Sequence, residues 1–287
     1  MRNYNKALII GAVLLVGGGL GFISFGFVTA GGFENSFNFT YEPSSPESIE
    51  DLTFNVDIGK LLFKYNTSPT TSYAKIDVNI AIAGLYTEGK TYQDFFNPET
   101  EWWDNTTATF NLRSLPDVWY DPSHWFKSYN VSVAVTLRTD VVYDLTALVS
   151  AGSIEMQVSD GVILNGTSLT SSAGSIEFNT LGNNEFLGKV SLESSAGSID
   201  SSTSKTNFTR GFRALTSAGS VSLIYSNCLM GDNLIGSTSA GSVTFKSYNM
   251  TYTKDIILNL ESSAGSINAE LYQNITMVFD LTSFIRI

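Results

Sequence analysis

Nine aromatic side chains crowd into residues 93–127: Phe95, Phe96, Trp102, Trp103, Phe110, Trp119, Tyr120, Trp125 and Phe126. All four tryptophans of the chain are among them, beside Glu99, Glu101, Asp104, Asp117 and Asp121. Aromatic faces next to carboxylates suit stacking on sugar rings or docking of a partner, because such rings offer a flat apolar body with polar groups at hand. Trp102, Trp103, Trp119, Tyr120 and Trp125 are therefore the candidate ligand- or partner-binding residues. The same cluster would equally serve as a hydrophobic cap. The open end of a repeat domain exposes core and unpaired backbone and needs a dissimilar element over it. Sequence leaves both readings standing.

Other chemistry is poorly supplied. His124 is the sole histidine and Cys228 the sole cysteine, so a Cys/His zinc site or a Ser/His/Asp triad is hard to assemble, and no internal disulfide can form. Cys228, in Asn227-Cys228-Leu229-Met230, reads as a buried thiol. Glycoside cleavage needs two carboxylates about 5–10 Å apart across a cleft. Asp117 with Asp121, or Glu101 with Asp104, could be posed so, but any acidic surface offers such pairs. A lyase acting on acidic polysaccharide wants cations in its groove, and only Arg113 and Lys127 lie near. The expectation is a non-enzyme with no catalytic residue, no metal and no cofactor.

Composition agrees with a packed, β-rich chain. Apolar residues make up 43% of 287 and charged residues 15%, with six prolines and abundant Ser and Thr. The net charge is −11; setting aside Arg2 and Lys6 leaves 14 basic against 27 acidic residues, or −13. Such a surface repels phosphate backbones, which argues against a nucleic-acid partner.

Residues 7–29 carry no charged side chain and are long enough to cross a bilayer as a helix. Arg2 and Lys6 precede the stretch, while Glu34, Glu42, Glu47, Glu50 and Asp51 follow it. The positive-inside tendency puts residues 1–6 in the cytoplasm and the bulk of the chain outside, at the plasma membrane. Val28-Thr29-Ala30 would suit a signal peptidase, but the apolar run exceeds the usual signal core, which favours a retained single-pass anchor. Eight Asn-x-Ser/Thr sequons follow it, at Asn38, Asn66, Asn105, Asn130, Asn165, Asn207, Asn249 and Asn274. With 22 asparagines in the chain about five would arise by chance, so the excess is small; they are candidate N-glycosylation sites.

From residue 150 onward a repeat dominates. SerAlaGlySer occurs six times, with glycines at 152, 174, 197, 219, 241 and 265. Two residues after each comes Ile154, Ile176, Ile199, Val221, Val243 or Ile267, and two further on Met156, Phe178, Ser201, Leu223, Phe245 or Ala269. Upstream, Leu148, Leu169, Leu192, Leu215, Ile235 and Leu260 are expected to form the matching apolar column. Both flanks alternate apolar with polar, as half-buried strands do. AlaGlySer suits a tight corner, because Gly tolerates positive φ and the neighbours are small. A second, polar corner is expected around Asp160-Gly161, Gly182 to Asn184, Lys205 to Asn207, Gly231 to Asn233 and Thr253 to Asp255. The period fits neither leucine-rich repeats nor calcium-binding β-rolls by motif, leaving a β-solenoid or an antiparallel meander. Strict corner identity favours the solenoid, in which equivalent residues stack about 4.8 Å apart.

The SerAlaGlySer-Ile/Val corner resembles the putative-adhesin family of unknown function. Its members repeat a Ser-x-Gly-x-Ile/Val unit along a β-solenoid, often behind a membrane anchor. The resemblance covers about 131–280 well and 50–90 loosely, and it implies no catalytic residues to carry over.

Residues 31–130 show no corner motif. Leu52–Ile58 and Ala74–Ile80 alternate as strands, Lys64–Ser72 reads as a polar loop, and 31–49 reads as a stalk. The expected organisation is thus 1–6 cytoplasmic, 7–29 anchor, 31–49 stalk, 50–130 an irregular β region with the aromatic cap, and 131–287 the all-β solenoid. The function expected is adhesive or structural at the cell surface, with carbohydrate or surface proteins as partners. The alternatives are an envelope sensor with an outer ligand-binding domain and a polysaccharide-processing enzyme.

Overall fold

The computed structural model describes residues 31–272 apart from 44, 68–71, 85, 86 and 117–126. The anchor expected at 7–29, Trp119, Tyr120, Trp125, His124 and Asn274 lie outside the described residues. Among those described, no helix is long and apolar enough to cross a membrane.

The chain is an all-β solenoid whose coils stack in parallel register. Downstream of each corner, Ile154–Val158, Ile176–Thr180, Ile199–Ser204, Val221–Ser226, Val243–Tyr248 and Ile267–Tyr272 form one continuous parallel sheet. Upstream, Tyr143–Ala151, Ile163–Ala173, Val190–Ala196, Phe212–Ala218, Leu234–Ala240 and Leu258–Ala264 form another. Ile154, Ile176, Ile199, Val221, Val243 and Ile267 are direct neighbours along the first sheet, and the six corner alanines along the second. This register rules out the meander.

Three details of the repeat differ from expectation. First, the inward column lies five residues before each glycine, at Ala147, Leu169, Leu192, Ala214, Gly236 and Leu260. Leu148 is 40% exposed, and Leu215 and Ile235 are only half-buried on the outer face. The variable distance of the leucines from the glycine breaks the two-residue parity that fixes which face a side chain takes. Where the inward position is Gly236, the space is taken by larger neighbours, Leu223, Val243 and Leu260, which lie 3.2–3.4 Å from where a Cβ would stand.

Second, the polar corner is partly a third short strand. Asn184–Phe186, Thr206–Phe208, Leu229–Met230 and Thr251–Tyr252 pair in parallel, so each of these coils has three strands rather than two. Phe186 and Phe208 point inward and stack at 5.2 Å.

Third, a coil begins earlier than the motif does. Glu50–Ile58 and Lys60–Asn66 lie in register on Tyr143–Ala151 and Ile154–Val158, with Ile58 opposite Ala151 and Leu61 opposite Ile154. Ile58-Gly59-Lys60-Leu61 is therefore a corner, although Ile and Lys replace the flanking Ala and Ser. The region 31–130 does carry a corner, disguised by its neighbours.

At the six SerAlaGlySer corners the glycines sit at φ between 145° and 155°, and Gly59 sits at 120°. An added Cβ at any of the six would fall inside 3.0 Å of the carbonyl oxygen of the preceding coil's glycine. Glycine is thus demanded twice, by backbone conformation and by contact. That carbonyl accepts a hydrogen bond from a Ser or Thr hydroxyl three residues before the next glycine: Ser171 to Gly152 at 2.9 Å, Ser194 to Gly174 at 3.0 Å, Thr216 to Gly197, Thr238 to Gly219 and Ser262 to Gly241 at 2.8 Å. The glycine N–H donates to the following coil's alanine carbonyl, as Gly174 does to Ala196 at 2.8 Å. A polar backbone at a small-residue corner is satisfied by this ladder, without water.

The chain leaves the first coil after Asn66 and returns at Tyr143. Lys127–Arg138 adds in parallel to Lys60–Asn66, and Ala74–Gly84 and then Gly32–Tyr41 add antiparallel outside it. Thr109–Leu112 adds to Glu50–Ile58 on the other sheet. Gly32–Tyr41, expected to be stalk, is a ten-residue strand whose alternate Phe33, Phe37, Phe39 and Tyr41 face inward. Lys60–Asn66 likewise extends as strand into the expected polar loop. Of the aromatic cluster, Phe110 lies on Thr109–Leu112, and Phe95, Phe96, Trp102 and Trp103 precede that strand in the chain.

Candidate functional site

The cap is built by side chains from three segments meeting over the first coil. Trp102, at the end of a short 3-10 turn over Glu99–Glu101, is 0% exposed. Its ring meets Phe37 edge-on at 4.9 Å and Tyr92 at 5.7 Å, and its indole N–H donates to the Asn97 carbonyl at 2.8 Å. Phe95, Phe96 and Phe110 are fully buried with it. A ring without exposed surface offers no face to a sugar, so Trp102 acts in the described structure as the centre of the cap. Trp103 is half-buried, with its ring 5.7 Å from Tyr41, and its indole N–H has no hydrogen-bond partner among the described residues. Trp102 has helical backbone at the end of the 3-10 turn and Trp103 opens the short strand Trp103–Asp104, so the two adjacent rings sit in different settings, one in the core and the other only partly covered.

Asp117 and Asp121 lie outside the described residues; the described carboxylates Glu99 and Asp104 are occupied. The Tyr92 hydroxyl donates to Glu99, which holds that carboxyl below its ordinary range. Asp104 accepts from the Thr106 N–H at 2.9 Å and the Thr107 hydroxyl at 2.9 Å, and the backbone bond first of all holds it low as well. A general acid needs the opposite shift. Glu50, 3% exposed, takes the Tyr41 hydroxyl at 2.7 Å and the Glu47 N–H at 2.9 Å. Burial and then that carboxylate push the Tyr41 phenol well above its ordinary range. Burial alone pushes Tyr129 up to about 12. Cys228 is buried against Thr203, 3.5 Å from its hydroxyl. Among the described residues no group of three or more His, Cys, Asp or Glu is placed to hold a metal ion.

The sequons divide by face. Asn38, Asn66, Asn105, Asn130 and Asn249 are exposed. Asn165 and Asn207 are half-buried, and their side-chain amides donate to Asp144 at 2.7 Å and Glu185 at 3.2 Å.

A second concavity was not anticipated. An open groove of about 630 Å³ runs across coils at the bend that follows the third strand, lined by Asn165, Gly188, Lys189, Arg210, Asp232 and Asn233 among others. Gly188 leaves bare backbone there, since a Cβ on it would fall inside 3.0 Å of the Asn165 carbonyl oxygen; Gly211, buried beside Arg210, is likewise held to glycine by the Asn233 carbonyl oxygen. Asp232 accepts its neighbour Asn233's N–H at 2.8 Å and pairs with Lys254 at 3.3 Å, which together hold its carboxyl low. Lys189 and Arg210, both exposed, make no hydrogen bond or ion pair among the described residues. The sequence signal was a basic residue beside a glycine in successive repeats, Gly188-Lys189 and Arg210-Gly211.

These features define a capped, repetitive β-solenoid. No protein-family model matches the chain, and no curated protein matches it. Among solved structures, the chain is similar to a putative cell adhesion protein from Clostridium sporogenes, with a TM-score of 0.39 and 14% identity over 83% of this chain and 100% of that one. A likeness at that level carries no argument about what this chain does.

Proposed function

We propose that this chain is a cell-surface, adhesin-like or structural β-solenoid without enzymatic activity, held by a single span at residues 7–29 with its bulk outside the cytoplasm. The observation that carries the reading is the unbroken register of the stack. Corner glycines from Gly59 to Gly265 lie one coil apart, which at about 4.8 Å per coil gives a rod roughly 30 Å long. At the repeated corner the glycine N–H, the following Ile/Val N–H and the Ala and Ser carbonyls are tied to the neighbouring coil, so the rod is stiff and suits holding a surface away from a membrane. The charge pattern around the apolar segment supports the orientation. Five exposed sequons support an outer, glycosylatable surface. The lowered carboxyls of Glu99 and Asp104 weigh against acid catalysis at the cap.

Protease added to intact cells tests the topology. The reading requires that residues 31–287 be accessible while the N-terminus is protected, and that the protein sediment with membranes until detergent is added. Release of the domain without detergent would favour a cleaved signal instead. A glycan-array screen of the fragment from residue 31 tests attachment, and turnover of an arrayed glycan would return the enzyme reading to first place.

A further inference from the structure

We propose that the groove at Lys189 and Arg210 is a binding site for a small acidic sugar, a uronic acid as the end or a short piece of a glycan. Four observations converge there. The groove's volume, about 630 Å³, lies within the range of small-ligand sites, roughly 300–1,000 Å³. It presents Lys189 and Arg210 in a chain whose remaining surface is strongly acidic, while of the two carboxylates beside it Asp232 is paired with Lys254 and also feels Arg210, and Asp144 accepts from the Asn165 amide, so three cations face two carboxylates. A carboxylate placed between Lys189 and Arg210 would thus meet a net positive site and gain charge-assisted hydrogen bonds. The Asn233 side chain, whose oxygen is engaged by the Ile257 N–H at 2.8 Å, keeps its amide donors for sugar hydroxyls. Leu187, 39% exposed, and half-buried Ile235 flank the groove with apolar surface suited to the C–H face of a pyranose.

The acidic surroundings set the size of the ligand. A long polyanion would be repelled by the faces on either side, whereas one carboxylate feels chiefly the nearest cations, because charges beyond about 8–10 Å are screened. Gly188 fixes the notch: any side chain there would project against the Asn165 carbonyl of the neighbouring coil. This site is separate from the cap, and the surface-projection reading stands or falls without it.

Titration calorimetry on the fragment from residue 31 tests the assignment, with glucuronate and galacturonate as probes and glucose and inorganic phosphate as comparators. Uronate binding is expected to weaken about tenfold in Lys189→Ala and in Arg210→Ala, and to vanish in the double variant. Glucose should bind at least about tenfold more weakly than either uronate. Lys75→Ala, which alters a cation already paired with Asp77 at 2.9 Å, should leave binding unchanged. Both groove residues are exposed, so unchanged melting curves will show that the variants are folded. Absence of uronate binding, binding indifferent to both substitutions, or phosphate binding as tightly through the same two residues would each overturn the proposal.

Discussion

The two ends of one inward column behave oppositely. Leu61, in the first coil, is 0% exposed, while Ile267, in the same column of the last described coil, is 49% exposed. Between them Ile154, Ile176, Ile199, Val221 and Val243 are all fully buried. The residue type hardly changes along this row; what changes is the neighbour. A coil does not bury its own interior; the coils on either side do. At the N-terminal end that service is performed by sequence unlike the repeat, the strands and aromatic rings of residues 32–41, 74–84, 87–116 and 127–138. At the far end Tyr248 and Tyr272 stack at 4.7 Å on the outside, but Ile267 and Ala269 have no coil above them among the described residues.

The largest effect that could break this contrast is expected in the repeat's corner. Gly197→Ala imposes both a forbidden φ of 154° and a collision with the Gly174 carbonyl, and should cost more than about 4 kcal/mol. Gly89→Ala, at φ 72° with open space around it, should cost about 1 kcal/mol. Denaturant melts of the two variants compare them directly, and equal losses would show that stacking does not constrain the corner. In the cap, Trp102→Ala removes the central ring and should cost about 3–5 kcal/mol. A wild-type melt with altered ligand binding would mean that the ring is a contact surface after all.

The column itself provides the next test. Ile199→Ala should cost about 2–4 kcal/mol, and Ile267→Ala less than about 1 kcal/mol because its site is already half open. Matching costs would mean that Ile267 is covered. Thr216→Val deletes the hydroxyl that serves the Gly197 carbonyl and is expected to cost about 1–2 kcal/mol. The first motif coil already carries Val149 at this position, fully buried, so the isostere fits, and hydrogen exchange at the corner reports the loss. The smallest effect concerns Asp200, beside Glu177 in register. Burial first, and then the like charge, raise its pKa. A carboxyl raised in the fold favours its protonated form there, so the fold is relatively stabilised at low pH and loses that advantage as pH rises through the folded value. Asp200→Asn should therefore stabilise slightly at pH 7, by less than about 0.5 kcal/mol given its exposure, and not at pH 3. A loss at pH 7 would reverse the sign assigned to this pair.

Much of this was legible because tiny side chains at a fixed interval have few structural uses. The corner glycines, the Ile/Val that follows and the strands at 52–58 and 74–80 all stand where alternation places them. Gly59 was hidden for two reasons. Ile58 and Lys60 fill the places of Ala and Ser, and the excursion through 67–142 stretches its distance to Gly152 far beyond one period. The Ser/Thr three residues before each glycine looked like one more polar residue in a Ser-rich chain; its role needs the preceding coil's carbonyl, which adjacency in sequence cannot show. The leucines misled because hydrophobicity outweighed parity. For the site, the burial of Trp102 against the half-exposure of Trp103 comes from a helical turn giving way to strand between them, which two adjacent tryptophans do not reveal in sequence, and the groove depends on residues from four coils that only the stack brings together.

Parallel, in-register stacking of successive corners holds the molecule together, and engineered cysteines in a Cys228→Ser background test it most directly. Ser198 and Ser220 are equivalent corner residues in neighbouring coils, and Ser242 lies one coil further on. Disulfides require Cα atoms within about 7 Å. Ser198→Cys with Ser220→Cys should crosslink readily under mild oxidation, whereas Ser198→Cys with Ser242→Cys, roughly 9–10 Å apart at two coil steps, should stay reduced. Efficient crosslinking of the second pair, or failure of the first in a folded protein, would contradict the stack.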